Sequence, residues 1–127
     1  MPLYTVSAPQ EISSLARQKI AQGITDIHCE LTGALPQFVQ VVFSFNVPLA
    51  KEFKGHLLGS IRAGRPPEIK AALTHQISEC IAKNLNTQRE SIQTVLLDVP
   101  ASWVIEGGEI MPEPGDEEDW LQRIQGA

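Results

Sequence analysis

The apolar residues of the first half of the chain follow two different spacings. Residues 3–6 are typical of a short strand that begins almost at the first residue. Apolar positions then recur at helical spacing over residues 12–31, and Gly33 ends that pattern. Over residues 39–45 apolar and other residues alternate with a period of two. The first half therefore predicts a strand, a helix and a second strand.

The second half repeats this order. Residues 56–61 are strand-like, although Gly59 weakens the pattern. Pro66 and Pro67 suit the first turn of a helix, and an apolar stripe follows over residues 69–85. Residues 92–97 predict the last strand. The offset between the halves is about 54 residues with little identity, so the repeat is one of architecture.

This pattern predicts an α/β fold made of two βαβ units, one over about residues 2–46 and one over about 54–100. The two strands of such a unit are normally parallel, so both units can share a four-stranded sheet with two helices on one face. We expect one domain over residues 1–127. Its C-terminal extension, 101–127, contains turn signals and a short helix over residues 116–124.

The strands are apolar on both sides of the predicted sheet. Three apolar residues follow one another at 41–43, and three more at 95–97. Such continuous runs are typical of strands that are covered on both faces. Because both helices lie on one face, we expect an oligomer to cover the other.

Composition and charge exclude several classes of function. The 127 residues carry a net charge of −5 and no basic stripe, so nucleic acid is not an expected partner. No apolar run approaches the roughly 18 residues of a membrane span, and the first residues do not resemble a signal peptide. Cys29 and Cys80 are interpreted as small buried apolar residues rather than metal ligands. We predict a cytoplasmic protein.

The C-terminal extension concentrates the negative charge. From Glu113 onward the chain has five acidic residues and one basic residue, Arg123. An acidic helix start with one apolar stripe is favoured over a binding tail.

The start of the chain is a candidate for acid–base chemistry. Pro2 follows the initiator methionine, which is normally removed before a small residue. Removal would leave a secondary amine, and amines near neutrality act as general acids or bases. Alternatively, Pro2 is only a permissive residue after Met1.

Arg62 and Arg65 form the sharpest local signal. They flank a turn that directly precedes the helix opening at Pro66. Two guanidinium groups beside a helix N-terminus can bind an anion, and a carboxylate fits the planar fork. Alternatively, both are solvated loop side chains.

His28 and Glu106 are weaker candidates on their own. His28 lies at the edge of an apolar stripe near a helix C-terminus, a position that favours the protonated form, and is otherwise a surface or boundary histidine. Glu106 precedes Gly107 and Gly108, which let backbone approach closely. Its carboxylate could activate water; otherwise it is an exposed loop acid.

Together these positions resemble the tautomerase superfamily, and within it cis-3-chloroacrylic acid dehalogenase and its homologues. The resemblance runs from Pro2 to about Trp120. It rests on the order and spacing of short stretches: Pro2-Leu3-Tyr4, Ile24-Thr25-Asp26-Ile27-His28, Leu31-Thr32-Gly33, Arg62-Ala63-Gly64-Arg65, Pro100, Glu106 and Pro112-Glu113-Pro114-Gly115.

The resemblance implies a role for each candidate. Pro2 corresponds to the catalytic amine, and His28 to a histidine that helps to hold the substrate. Arg62 and Arg65 correspond to a pair that binds the substrate carboxylate. Glu106 corresponds to a glutamate that activates water. The resemblance also implies a homotrimer that acts on small carboxylates without a cofactor or metal.

One position departs from the pattern of the dehalogenase. A tyrosine assists the glutamate there, whereas Val95 at the matching position has no hydroxyl, and Tyr4 is the one conceivable substitute. Keto–enol tautomerisation is the less demanding reaction and should survive this loss, whereas hydration and dehalogenation are less secure. Malonate semialdehyde decarboxylation and a non-catalytic trimeric binding protein are the alternatives.

Overall fold

The computed structural model describes residues 1–125 and has the predicted α/β architecture. The elements in chain order are β1 Leu3–Ser7, α1 Ser14–Thr32, β2 Gln40–Ser44, β3 Gly55–Arg62, α2 Pro67–Asn84, β4 Ile92–Val99, β5 Ile105–Glu106, β6 Glu109–Ile110 and α3 Glu117–Gln125. The predicted four-stranded sheet, its two long helices and the short C-terminal helix are confirmed. Residues 126–127 of the predicted extension lie outside the described residues.

The strand order β2-β1-β3-β4 decides which residues share an end of the sheet. Within each half the two strands are parallel, whereas β1 and β3 run antiparallel, with Leu3 opposite Ser60. The first residue of β1 therefore lies beside the last residues of β3. This pairing brings Pro2 and Arg62, which are far apart in sequence, to one end of the sheet.

Helix α1 begins and ends at residues suited to those positions. The Ser13 hydroxyl accepts a hydrogen bond from the Ala16 amide at 3.2 Å. Gly33 follows the helix with φ 77°, and its amide donates to the Cys29 carbonyl at 2.8 Å. Thr32 and Gly33 line the same cavity as Met1, so the last turn of the helix lies at the end of the sheet where β1 begins.

The core lies between the sheet and the two long helices. Its fully buried side chains come from both halves: Tyr4, Val6, Ile20, Ile24, Leu57, Ile61, Leu73, Ile77 and Ile81. Gly59 on β3 is needed where the Tyr4 ring packs. A Cβ at that position would lie 2.8 Å from Tyr4 Cε1 and 2.6 Å from Leu96 Cδ2. The glycine that weakens the strand pattern thus makes room for the largest core side chain.

The other face of the sheet is uncovered in the single chain. Val42, Val95 and Leu97 expose a third or more of their surface. Nearby in sequence, Trp103 and Ile105 are exposed as well. This apolar surface is the one that the sequence pattern predicts an oligomer to cover.

The C-terminal extension is more ordered than its turn signals indicate. Strands β5 and β6 form a hairpin around Gly107 and Gly108, whose φ angles are 59° and 82°. Two consecutive positive φ angles suit a tight hairpin turn, and glycine adopts them without strain. The indole nitrogen of Trp120 on α3 donates to the Ile110 carbonyl at 2.8 Å, so the last helix is fixed to the hairpin. Within residues 1–125, no helix is long and apolar enough to cross a membrane.

Candidate active site

The chain start lies at a cavity of about 430 Å³. The Met1 amine donates to the Phe38 carbonyl at 3.1 Å and to Oε1 of Glu106. Pro2 is buried beside it, and its carbonyl accepts from the Gln40 amide at 3.1 Å. Burial and the positive charge of Arg62 lower the pKa of the amine below its ordinary value. A free amine at this position is therefore shifted toward its neutral, basic form.

The walls of the cavity come from three parts of the chain. One wall is the chain start with the turn that follows α1, and a second contains Arg62 and Arg65. The third is the part of the C-terminal extension that follows Glu106, in which the sequence predicts no site residue. Its lining residues are Met111, Pro112, Pro114, Gly115, Glu117, Trp120 and Leu121.

Arg62 is buried and fixed, with 6% of its side chain exposed. One terminal nitrogen donates to the Pro112 carbonyl, and the other donates to Oε1 of Glu117 at 2.7 Å. A guanidinium has five N–H donors, and these contacts use two. Arg62 therefore keeps donors for a substrate, although its charge is already paired with Glu117.

Arg65 is held less firmly. It is half-buried, and its single hydrogen bond among the described residues is a 3.5 Å contact from Nη1 to the Thr32 carbonyl. Burial and the neighbouring Arg62 cation lower the pKa of Arg65, whereas the Glu117 carboxylate opposes that shift. The two arginines thus share the cavity but differ in freedom, and Arg65 is the one that can move toward an anion.

His28 lies beneath the site instead of lining the cavity. Only 2% of its surface is exposed, and its Nδ1 atom is 2.7 Å from the Tyr4 hydroxyl. Burial lowers the pKa of His28 to about 4, and the charges of Arg65, Arg62 and the N-terminus act in the same direction. The expectation of a protonated histidine is therefore wrong, because desolvation and nearby cations outweigh the helix C-terminus. The interpretation of His28 as a surface histidine is also wrong, because the side chain is buried.

Glu106 owes its position to the hairpin. It ends β5, and the turn at Gly107 and Gly108 follows it directly. Its carboxylate forms an ion pair with the Met1 amine rather than extending into solvent. Val95 belongs to the uncovered sheet face and does not line the cavity, whereas the Tyr4 hydroxyl is engaged by His28. Within the single chain, no tyrosine hydroxyl among residues 1–125 assists Glu106.

A larger cavity, of about 580 Å³, lies at the opposite end of the sheet. It is lined by residues around Ala8, Lys54 and Asn86, and no predicted site residue is among them. The chemistry-bearing groups therefore favour the smaller cavity. In the part of the chain that the structure describes, no group of three or more His, Cys, Asp or Glu is placed to hold a metal ion. Among the described residues, Cys29 and Cys80 are free thiols, and both are half-buried.

Comparison with known proteins places this arrangement in a structural context. No protein-family model matches the sequence, and no curated protein matches it. Among solved structures, a protein described as N1, a member of the cis-3-chloroacrylic acid dehalogenase family, is 28% identical, with a TM-score of 0.86. The match covers 98% of this chain and 96% of that one. The chain has the tautomerase-superfamily fold. The resemblance predicted from the sequence is confirmed.

Two further neighbours show how widely the fold is shared. A fused 4-OT, described as an asymmetric trimer, is 25% identical with a TM-score of 0.77 over 85% of this chain and 94% of its own. MIF2 of Leishmania major is 17% identical with a TM-score of 0.75, over 86% of this chain and 96% of its own, and indicates the fold alone.

The sequence does not reveal the role of Glu117 in the site or the contact of Tyr4 with His28 beneath it. In the sequence Glu117 is one of several acids at the start of a predicted solvated helix, and only its contact with Arg62 distinguishes it from its neighbours. Tyr4 was considered only as a partner of Glu106. The signal that could have found its real partner is its place on the buried face of β1, the face toward α1.

Proposed function

We propose that the chain is a cofactor-independent enzyme in which the amine of Pro2, freed by loss of Met1, acts as general acid and base on small unsaturated or enolisable carboxylates. The observation that carries the proposal is that the chain start and the Arg62–Arg65 pair line one cavity, while Glu106 is bound to the amine of the chain start. An amine, a carboxylate and two guanidinium groups supply proton transfer and anion binding together.

Loss of Met1 moves the free amine by one residue, about 3.8 Å between α-carbons. Burial and the Arg62 cation lower the pKa of the Met1 amine, and we expect the same two causes to act on a Pro2 amine one residue away. A lowered pKa enlarges the neutral fraction of an amine, which can accept a proton, whereas the nearby Glu106 carboxylate favours the protonated form. Arg65 and the remaining donors of Arg62 bind the substrate carboxylate.

Keto–enol tautomerisation uses only the Pro2 amine and the two arginines. The Pro2 amine takes the proton of the enol hydroxyl as the C=O bond forms, and the C=C electron pair becomes available to bond one proton at carbon. The protonated amine returns the proton to carbon, so the amine is regenerated. This reaction is the less demanding member of the proposal because Glu106 is not required.

Hydration of a 3-haloacrylate requires Glu106 in addition. The carboxylate takes a proton from water, the hydroxyl adds to C3, and the protonated Pro2 amine delivers a proton to C2. Halide then leaves C3 as the hydroxyl becomes a carbonyl, which yields malonate semialdehyde and one proton. A missing tyrosine hydroxyl removes one hydrogen-bond donor, which costs on the order of 10²–10³ in rate.

Two alternatives use the same cavity. Decarboxylation of malonate semialdehyde would use Pro2 and the arginines and would release carbon dioxide to leave acetaldehyde. A non-catalytic trimeric binding protein would use only the anion-binding arginines. A homotrimer is part of the proposal, and it is supported by the uncovered apolar sheet face and by the trimeric fused 4-OT with the same fold. The cytoplasmic location stays a prediction.

The test is a proton-NMR time course of Met1-free protein with three substrates in parallel. These are cis-3-chloroacrylate, the enol form of a 2-oxo monocarboxylic acid, and malonate semialdehyde. We expect faster ketonisation of the enol than in buffer, and slow formation of malonate semialdehyde from the chloroacrylate. Acetaldehyde from the third substrate alone would favour the decarboxylase.

Three variants assign the chemistry. Pro2→Ala is expected to lose turnover without a change in oligomeric state, because the secondary amine is gone. Arg65→Ala is expected chiefly to raise KM, because a carboxylate contact is lost. Glu106→Gln is expected to suppress hydration and to spare ketonisation. Wild-type kinetics in both Pro2→Ala and Arg65→Ala would overturn the site assignment.

A further inference from the structure

The Arg62–Glu117 ion pair gives the cavity an unequal pair of cations. The oxygen Oε1 of Glu117 accepts from Arg62 at 2.7 Å, and Oε2 accepts from the Gly115 amide at 2.8 Å. Both carboxylate oxygens are therefore held, and the side chain has one defined position. Glu117 itself lines the cavity together with Arg62 and Arg65.

This carboxylate is charged where it stands. Burial acts to raise the pKa of Glu117, but the hydrogen bonds from Arg62 and Gly115 outweigh it and hold the pKa below its ordinary value. Its negative charge acts on Arg65 as well. The charged side chains that line the cavity, Arg62, Arg65 and Glu117, therefore sum to one positive charge, and the terminal amine is paired with Glu106.

A single positive charge matches a substrate with one carboxylate. A second carboxylate on the substrate would bring two negative charges toward one net positive charge and toward Glu117. Like charges at short range in a partly desolvated cavity oppose binding, and such repulsion is one way in which a site excludes the wrong ligand. The apolar lining supplied by Met111, Trp120 and Leu121 offers a second carboxylate no partner.

We propose that Glu117 is a specificity-determining residue that restricts the cavity to substrates with a single carboxylate, because it neutralises Arg62. The inference rests on the proposed function, since it assumes that the cavity binds the substrate carboxylate. It assigns to the acidic C-terminal helix a part in choosing the substrate.

The test uses two matched anions and direct binding, so it does not depend on turnover. The probes are cis-but-2-enoate and maleate, which share the cis double bond and one carboxylate. Cis-but-2-enoate has a methyl group where maleate has its second carboxylate. Dissociation constants are measured by isothermal titration calorimetry at a pH where maleate carries two charges. Wild-type protein is expected to bind cis-but-2-enoate more tightly than maleate.

The Glu117→Gln variant is expected to strengthen maleate binding at least about tenfold relative to cis-but-2-enoate. The side chain is 42% exposed, so this replacement is compatible with folding. Glu118→Gln is the matched control, because it removes the same charge from the same helix at an exposed position. Glu117→Asp keeps the negative charge and is expected to retain the preference for one carboxylate.

An unchanged ratio in Glu117→Gln would overturn the inference while leaving the carboxylate site intact. An equal change in Glu118→Gln, or in Glu117→Asp, would overturn it as well, because the position of the charge would not matter. If wild-type protein binds neither anion, the proposed carboxylate site fails, and the inference fails with it.

Discussion

The hydroxyl of Tyr4 lies 2.7 Å from Nδ1 of His28, and both side chains are buried. Burial raises the pKa of Tyr4, so the phenol keeps its proton, while the lowered pKa of His28 keeps the imidazole neutral. Because the phenol has no other acceptor within residues 1–125, it donates to Nδ1, and the proton of the imidazole is on Nε2. A tyrosine on β1, the strand that directly follows Pro2, thus sets the tautomer of a histidine on α1.

Replacing Tyr4 by phenylalanine removes that hydrogen bond and preserves the packing of the ring. The buried Nδ1 atom of His28 would be left without a partner, which costs about 1–3 kcal/mol of the free energy of unfolding. Thermal denaturation at fixed concentration measures the loss, and ¹⁵N NMR of the imidazole measures the change of tautomer. An unchanged imidazole spectrum would contradict the assigned hydrogen bond.

His28 also predicts how stability depends on pH. The folded chain resists protonation down to a pKa of about 4, whereas the unfolded chain binds the proton near pH 6.5. The unfolded state therefore binds more protons in this window, and the free energy of unfolding falls as the pH decreases through it, by up to about 3 kcal/mol. Above pH 6.5 this contribution is constant.

The comparison of His28→Gln with His75→Gln isolates that effect. His75 is exposed on α2, so its replacement is expected to leave the wild-type pH dependence in place. His28→Gln is expected to flatten the dependence between pH 4 and 6.5. Equal slopes in the two variants would show that His28 does not resist protonation.

Gly59→Ala is expected to destabilise the sheet. The added methyl group would lie within 3 Å of Tyr4 and Leu96, and overpacking of this kind costs about 1–3 kcal/mol. Ser60→Ala, on the next position of the same strand, is the control and is expected to change the free energy of unfolding little. Chemical denaturation compares the two, and equal stability would mean that β1 and β3 lie farther apart than described.

Leu97→Glu tests whether the uncovered sheet face is an interface between copies. The side chain is 48% exposed on that face, and a buried, unpaired charge there would oppose association. Leu15→Glu places the same change on the helix side, where the leucine is 62% exposed. Light scattering is expected to give a trimer for wild type and Leu15→Glu, and smaller species for Leu97→Glu. A monomeric wild type would remove the trimer from the proposal.

The order of elements could be predicted from the sequence because each apolar pattern is local. Apolar periods of 3.6 and 2 residues distinguish α1 from β2, and Gly33 marks the end of α1 in the sequence. The hairpin at Gly107 and Gly108 was harder to predict, since its strands have only two residues each. Short strands give no periodicity to recognise.

The site was predictable only in part because it depends on contacts between distant residues. Arg62 and Arg65 were found from a local cluster beside a helix start. The attachment of Glu117 to Arg62, 55 residues away, depends on how the C-terminal extension folds back. The burial of His28 likewise depends on its contact with Tyr4, and burial reversed the charge state that the helix end alone favours.

The most direct test of the account compares two preparations of the same chain. One begins at Pro2, and the other has one extra residue before Pro2, as verified by intact mass. Their rates of enol ketonisation are measured under the same conditions. The account predicts that the extra residue lowers turnover by about 10² or more, because Pro2 becomes an amide and loses its role in proton transfer. Equal turnover in the two preparations would contradict the central claim that the free amine of Pro2 is the acid–base group.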